Sequence, residues 1–197
     1  MATRYNYTSD KQITALKVDS SNNFAWMAFA KNSDNKCIIE KQFGFNPFQT
    51  FFTLERSVEE VTAMDLNSTH LFVAYNDSTL LGEKISLSNP LTSTTEISLP
   101  AVNEYPIDLH INGSDVWFLL PGSTSGNVAT LLQYNTSGTL VETIELIKSG
   151  AEIVNASSFT IDGLGDLWVV TDTSPANVVR VYEDSASIWN FDITEIS

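Results

Sequence analysis

The 197-residue sequence is 43% hydrophobic and 11% aromatic, a balance that indicates a folded globular protein rather than a disordered chain. Its formal net charge of −14 argues against nucleic acid as a partner, because an acidic surface repels phosphate groups. Most of this charge lies after residue 84, where Lys148 and Arg180 are opposed by fourteen Asp and Glu residues. The excess either keeps the surface solvated or receives a cationic partner.

Neither a targeting segment nor a disulfide is expected. The first residues lack the apolar core of a signal peptide, and no apolar run approaches the roughly 20 residues needed to cross a bilayer. Cys37 is the only cysteine and opens the apolar run Cys37–Ile39, so we interpret it as a small hydrophobic residue on a strand. The sequence therefore predicts a soluble protein without membrane insertion.

Residues 1–10 form a polar arm ahead of a single domain predicted to span residues 11–197. Tyr residues alternate with polar side chains in this arm, a pattern typical of a short edge strand. Such a strand is able to pair with a sheet edge or with another chain. The predicted assembly strand consists of Arg4, Tyr5, Asn6, Tyr7 and Thr8.

From residue 11 onward, short runs rich in Val, Ile, Phe, Trp and Thr alternate with clusters of Gly, Asn, Asp, Ser and Pro. This pattern is typical of an all-β protein, and no segment of ordinary helix length shows a helical period. In chain order the runs group into four units of four candidate strands. The units lie at approximately residues 11–57, 58–101, 102–150 and 151–197.

An aromatic residue on a short apolar strand recurs once in each unit. The intervals between these aromatics are 46, 45 and 51 residues, and a repeat of about 45 residues with four strands indicates propeller blades. We expect such large side chains to fill the space between adjacent blades rather than to stack on a ligand. The predicted inter-blade core residues are Trp26, Phe72, Trp117 and Trp168.

The fourth unit also carries a family resemblance. The segment Thr160–Val170 contains Asp162, a Gly-rich turn and Trp168, and the hairpin segment Asn177–Tyr182 follows it. This order resembles a repeat of the NHL and SMP-30-like β-propellers, and the resemblance implies a propeller of about four four-stranded blades. The alternative fold, a β-sandwich or jelly roll, explains the short strands but not the 45-residue period.

The resemblance also implies a place for a metal, because SMP-30-like enzymes hold a divalent cation on the propeller axis with acidic and Asn ligands. The innermost strands offer four acids at comparable places, Asp19, Asp65, Asp108 and Asp162. We interpret these acids as caps that bond the backbone of the turn following each strand. Neither a metal nor another cofactor is predicted.

Motifs for catalysis are weak. The segment Gly122–Gly126 resembles a nucleophile turn, but its central residue is Thr124 and no helix follows. His70 and His110 are interpreted as structural or surface residues. No catalytic residue is predicted, and the protein is expected not to be an enzyme.

Three functional hypotheses remain. The first is a non-enzymatic structural protein of a virion surface, such as a phage decoration, fibre or tail accessory protein. Its partners would be capsid or tail proteins or copies of itself, and its blades would form either a closed disc or a half-ring completed by a second copy. The second is a propeller lectin that contacts surface glycans through Tyr105, Tyr134 and Trp189. The third is an SMP-30-like metal-dependent hydrolase or lyase.

Overall fold

The computed structural model describes residues 12–19, 24–43, 50–78, 80–90, 93–98, 104–123, 126–173, 176–184, 186 and 188–196. The described residues form strands and no helix, so the all-β prediction is confirmed. None of them belongs to a helix long and apolar enough to span a membrane. The predicted assembly strand, Arg4–Thr8, lies outside the described residues.

The chain divides into two compact units, Met1–Val61 and Thr62–Ser197. The first unit holds a four-stranded antiparallel sheet whose strands follow one another in chain order. These are β1 (Ile13–Asp19), β2 (Phe24–Phe29), β3 (Cys37–Phe43) and β4 (Thr50–Arg56). Met27, Phe29 and Ile38 form its apolar cluster.

The second unit contains three four-stranded antiparallel sheets, apart from Glu60 and Val61 at the start of the first of them, and their strands again follow chain order. The first comprises β5 (Glu60–Leu66), β6 (His70–Asn76), β7 (Leu80–Ser86) and β8 (Thr94–Ser98). The second comprises β9 (Asp108–Asn112), β10 (Asp115–Leu120), β11 (Thr130–Asn135) and β12 (Leu140–Glu145). After the short pair β13 (Ile147–Lys148) and β14 (Ala151–Glu152), the third comprises β15 (Ala156–Ile161), β16 (Leu167–Thr171), β17 (Ala176–Glu183) and β18 (Trp189–Ile196).

Strand β10 explains how these three sheets pack, because successive side chains of a strand point to opposite faces of its sheet. Val116, Phe118 and Leu120 join a cluster with residues of sheet β5–β8. Trp117 and Leu119 join another with residues of sheet β15–β18. Sheet β9–β12 is therefore covered on both faces. Each fully buried Leu or Phe contributes about 1.5–3 kcal/mol to the stability of this stack.

Strand β16 has a different burial pattern from β10. Leu167, Val169 and Thr171 are buried, whereas Trp168 is partly exposed and Val170 is 37% exposed. Such alternation is typical of a sheet with one covered face. The covered face of sheet β15–β18 packs toward sheet β9–β12, and we call the opposite one the outer face.

The turn after β10 depends on Gly122. Its backbone has a φ of +66°, and a Cβ on this residue would lie 2.3 Å from the backbone nitrogen of Ala129. Its N–H donates a 2.7 Å hydrogen bond to the buried carboxylate of Glu104. The left-handed backbone and the close approach of a neighbouring segment both require glycine here.

We predict that Gly122→Ala lowers the free energy of unfolding by about 2–5 kcal/mol, because the left-handed conformation and the steric overlap add together. Gly113→Ala is the matched control. Gly113 has a φ of +61° but open space around its missing Cβ, so its loss is expected to be about 1–2 kcal/mol. Urea unfolding of both variants tests this, and equal losses would contradict it.

Candidate binding surfaces

The four repeated aromatics do not occupy equivalent environments. Trp26 and Phe72 are fully buried, and Trp117 is 5% exposed. Phe72 and Trp117 belong to the apolar clusters between neighbouring sheets of the second unit. Trp168, predicted as an inter-blade core residue, instead lies on the outer face and is partly exposed, because Leu167 and Val169 occupy the cluster side of β16.

The three aromatics predicted to contact glycans also differ. Tyr105 is 44% exposed, and Trp189 is partly buried with its ring edge-on to Trp117 at a centroid distance of 5.8 Å. Tyr134 is 3% exposed and donates a hydrogen bond to the backbone oxygen of Ser98. Burial raises the pKa of Tyr134 to about 12. The prediction of an exposed Tyr134 is wrong, because this residue faces the cluster between sheets β5–β8 and β9–β12.

Two of the four candidate metal-ligating acids join neighbouring sheets. Asp65 on β5 accepts a 2.8 Å hydrogen bond from the backbone N–H of Ile111 on β9. Asp108 on β9 accepts hydrogen bonds from the backbone N–H of Phe159 and the hydroxyl of Ser158, both on β15. Each acid also accepts a hydrogen bond from the backbone N–H of the residue that follows it, Leu66 or Leu109, so it bonds its own backbone as well as the next sheet. Carboxylates make the stronger class of hydrogen bond, so these contacts hold the first strands of three successive sheets together.

The other two acids have separate surroundings. Asp19 is buried at the end of β1 in the first unit. Asp162 caps its own turn as expected, accepting hydrogen bonds from the backbone N–H groups of Leu164 and Asp166. It also accepts a 2.9 Å bond from Nε1 of Trp168. Among the described residues, no three His, Cys, Asp or Glu side chains are grouped as a metal site requires.

His110 lies between the two acids that join the sheets. Its Nδ1 is 3.8 Å from Oδ2 of Asp65, and its Nε2 is 3.9 Å from Oδ1 of Asp108. Its ring meets Phe159 edge-on at 4.9 Å. This cluster was not predicted from the sequence, although Asp108 and His110 are two residues apart on one strand and so share a face.

We predict that Asp108→Ala lowers the free energy of unfolding by about 2–3 kcal/mol, because two donors on β15 lose their charged acceptor. Ser158→Ala, the control, removes only the hydroxyl bond and is expected to lower it by about 0.5–1.5 kcal/mol. Chemical denaturation of both variants measures the difference. A larger loss for Ser158→Ala would contradict the assigned role of Asp108.

The capped turn at Asp162 predicts a pH dependence. Hydrogen bonds from the Trp168 indole, and then from backbone N–H groups led by that of Leu164, lower the pKa of Asp162. A carboxyl whose pKa is lowered by folding stabilises the protein above its unfolded pKa of about 3.9. That stability is lost as the pH falls through the lower pKa of the folded state.

We therefore expect the wild type to be more stable than Asp162→Asn at pH 5 and the gap to narrow at pH 2. Urea midpoints of the two proteins at both pH values provide the measurement. A stability gap that is the same at pH 5 and pH 2 would show that the charge of Asp162 makes no contribution of this kind.

A cavity of about 470 Å³ opens between sheets β9–β12 and β15–β18. Trp117, Gln133 and Glu142 lie side by side along its wall, because the strand register pairs Trp117 with Gln133 and Gln133 with Glu142. On the other side, Glu183 and Trp189 are cross-strand partners at the β17–β18 end. The edge-on contact of the two Trp rings joins the two sides.

The remaining lining residues come from two turns. Asn112 and Asp115 flank the β9–β10 turn, while Leu164, Gly165 and Asp166 belong to the β15–β16 turn. Asp166 is fixed by Arg180, whose Nε donates a 2.8 Å hydrogen bond to Oδ2. This pair orients one carboxylate of the cavity before any ligand binds.

The outer face of sheet β15–β18 carries two cross-strand rows. One row consists of Thr160, Trp168, Arg180 and Asp192, and the other of Ser158, Val170, Val178 and Thr194. The guanidinium of Arg180 lies over the rings of Tyr182 at 4.6 Å and Trp168 at 5.8 Å. The face therefore combines aromatic, aliphatic and cationic side chains, all partly or well exposed.

Solved structures of low sequence identity share this fold. A protein of unknown function from Desulfotomaculum acetoxidans has a TM-score of 0.63 at 11% identity, over 98% of this chain and 57% of its own. The WD40 β-propeller domain of Doa1 has a TM-score of 0.61 at 14% identity, over 89% of this chain and 52% of its own. The designed protein Ika8 has a TM-score of 0.57 at 15% identity, over 84% of this chain and 45% of its own.

The chain thus spans about half the length of these three structures. No model of a known protein family matches the sequence, and no curated protein matches it either. Together with the four-stranded antiparallel sheets, the structural similarity defines an all-β, propeller-like fold.

Proposed function

We propose that the protein is a non-enzymatic interaction protein that assembles with further copies of itself through the outer face of sheet β15–β18. The observation that carries the proposal is the one-sided burial of β16, with Trp168 partly exposed and Val170 exposed opposite buried Leu167 and Val169. Trp, Tyr and Arg are the residue types enriched in protein interfaces, and all three lie on this face.

A second copy fits this face for two reasons. Arg180 and Asp192 lie beside each other in one row, so two such faces related by a twofold axis would place opposite charges within reach. The three solved structures described above are about twice as long, so a second copy would supply a comparable length of chain.

The structural contacts of Asp65, Asp108 and His110 support the proposal that the protein is not an enzyme. Asp65 and Asp108 accept hydrogen bonds from backbone groups of strands in neighbouring sheets, and His110 lies between them.

Membership of the NHL or SMP-30-like repeats remains a proposal that rests on the segment Thr160–Tyr182. A place on a virion surface, with capsid or tail proteins as further partners, rests on the acidic, Ser/Thr/Asn-rich composition.

The test introduces a charge into the outer face. We expect the wild type to self-associate as its concentration rises in sedimentation velocity, and Val170→Asp to weaken this at least tenfold, because a carboxylate would be buried without a partner. Val141→Asp is the matched control, since Val141 is a 55% exposed valine on β12 of a different sheet.

Val141→Asp is expected to associate like the wild type, and circular dichroism shows that both variants are folded. A wild type that stays monomeric at every concentration would overturn the proposal. Equal effects of the two substitutions would overturn the choice of this face.

A further inference from the structure

We infer that the cavity between sheets β9–β12 and β15–β18, here called the Trp117–Trp189 cavity, binds a neutral carbohydrate. Its volume of about 470 Å³ lies within the range of about 300–1,000 Å³ that is typical of small-molecule sites. The inference rests on the charge, the donors and acceptors, and the aromatic surface of the lining. These observations are separate from those that support self-association through the outer face.

The charge of the lining excludes anionic ligands. Four carboxylates line the cavity, from Asp115, Glu142, Asp166 and Glu183, while its described lining includes no Lys, Arg or His. Phosphates, nucleotides and acidic sugars would be repelled at such a site. Carboxylates accept hydrogen bonds strongly, so the lining favours a ligand with many O–H or N–H donors.

The arrangement of these carboxylates does not suit a bare metal ion. Calcium needs six to eight oxygens around one point. Within the described part of the chain, no three acidic, His or Cys side chains converge in this way. The carboxylates instead come from β10, β12, the β15–β16 turn and β17, so they are distributed around the cavity. An extended ligand with several hydroxyl groups is able to reach more than one of them.

The donors in the cavity distinguish a sugar from an organic cation. Asn112 and Gln133 each offer an amide NH₂ group. Trp117 is 5% exposed, and no described residue accepts a hydrogen bond from its Nε1. An ammonium ion has no lone pair to receive such donors, whereas a sugar hydroxyl both donates and accepts. A polyol therefore matches donors and acceptors together, and a polyamine would match only the carboxylates.

Trp189 contributes an indole ring to the otherwise mainly polar lining. Its ring is held edge-on against Trp117 at 82°, which restricts its movement. A partly exposed, fixed indole at the edge of a polar cavity suits the apolar C–H face of a pyranose ring. Leu164, 87% exposed on the β15–β16 turn, is a further apolar residue of the lining.

Asp166 is the best-positioned acceptor. Arg180 bonds only its Oδ2, so Oδ1 has no donor among the described residues. The Asp166 side chain is 14% exposed and faces the cavity in a fixed orientation. A carboxylate held by an Arg in this way accepts a ligand hydroxyl without first losing conformational freedom.

The first experiment screens the protein against an array of neutral, amino and sialylated glycans and against spermidine. We expect binding to neutral glycans and none to sialylated ones. Binding of spermidine alone would overturn the inference in favour of a cation site. Absence of binding to any neutral glycan at millimolar concentration would also overturn it.

The second experiment locates the binding by titrating the best neutral glycan of the array. Gln133→Ala and Glu142→Gln each remove one polar contact from an intact wall, so we expect an affinity at least tenfold weaker. Tyr105→Ala is the matched control, because Tyr105 is an exposed aromatic that is not among the described residues of the cavity. Weakening by Tyr105→Ala alone would place the glycan elsewhere and overturn the assignment.

Discussion

The need to cover both faces of a small antiparallel sheet determines this structure. A four-stranded sheet with apolar residues on both faces cannot exclude water from either by itself, and stacking on a neighbour removes one face at a time. Strand β10 shows the result, since its five residues Val116–Leu120 are all buried and alternate between two clusters. The outer face of sheet β15–β18 lies where this stacking ends. The cavity lies where the two stacked sheets β9–β12 and β15–β18 separate.

Hydrophobic contact alone would allow the stacked sheets to slide, because it has little directional preference. Asp65 and Asp108 supply the directional contacts between the sheets. Each carboxylate bonds a backbone N–H on the first strand of the next sheet, which fixes the position of one sheet along the other. A backbone donor has one place in the chain, so these bonds define the register between sheets in the way that ladder bonds define it between strands.

Local pattern predicted the strands well, and the physical reason is that strand formation depends on neighbouring residues. The prediction of four units of four strands agrees with the four four-stranded sheets of the described residues. The face that each side chain takes was harder to predict. In the run Leu167–Thr171 the apolar residues fall on both faces, so nothing local indicated that Trp168 and Val170 would lie on the exposed one.

The functional surfaces were still less accessible to sequence analysis, because they are made by residues far apart in the chain. Tyr134 was expected at the surface, yet the β11 register turns it toward Phe118, with the two rings edge-on at 5.6 Å. Gln133, its neighbour, lines the cavity instead. The contact of Asp65 with Ile111 likewise depends on how sheets stack, which a repeat period of about 45 residues indicates only in outline.

Arg180 connects the two proposed surfaces. Its side chain is 35% exposed on the outer face, where it lies over Trp168 and Tyr182, and its guanidinium holds the cavity residue Asp166. A partner covering the outer face would withdraw this ion pair from water, and an ion pair in a less polar setting is stronger. Assembly would then hold Asp166 more firmly at the cavity wall, so self-association and ligand binding would each favour the other.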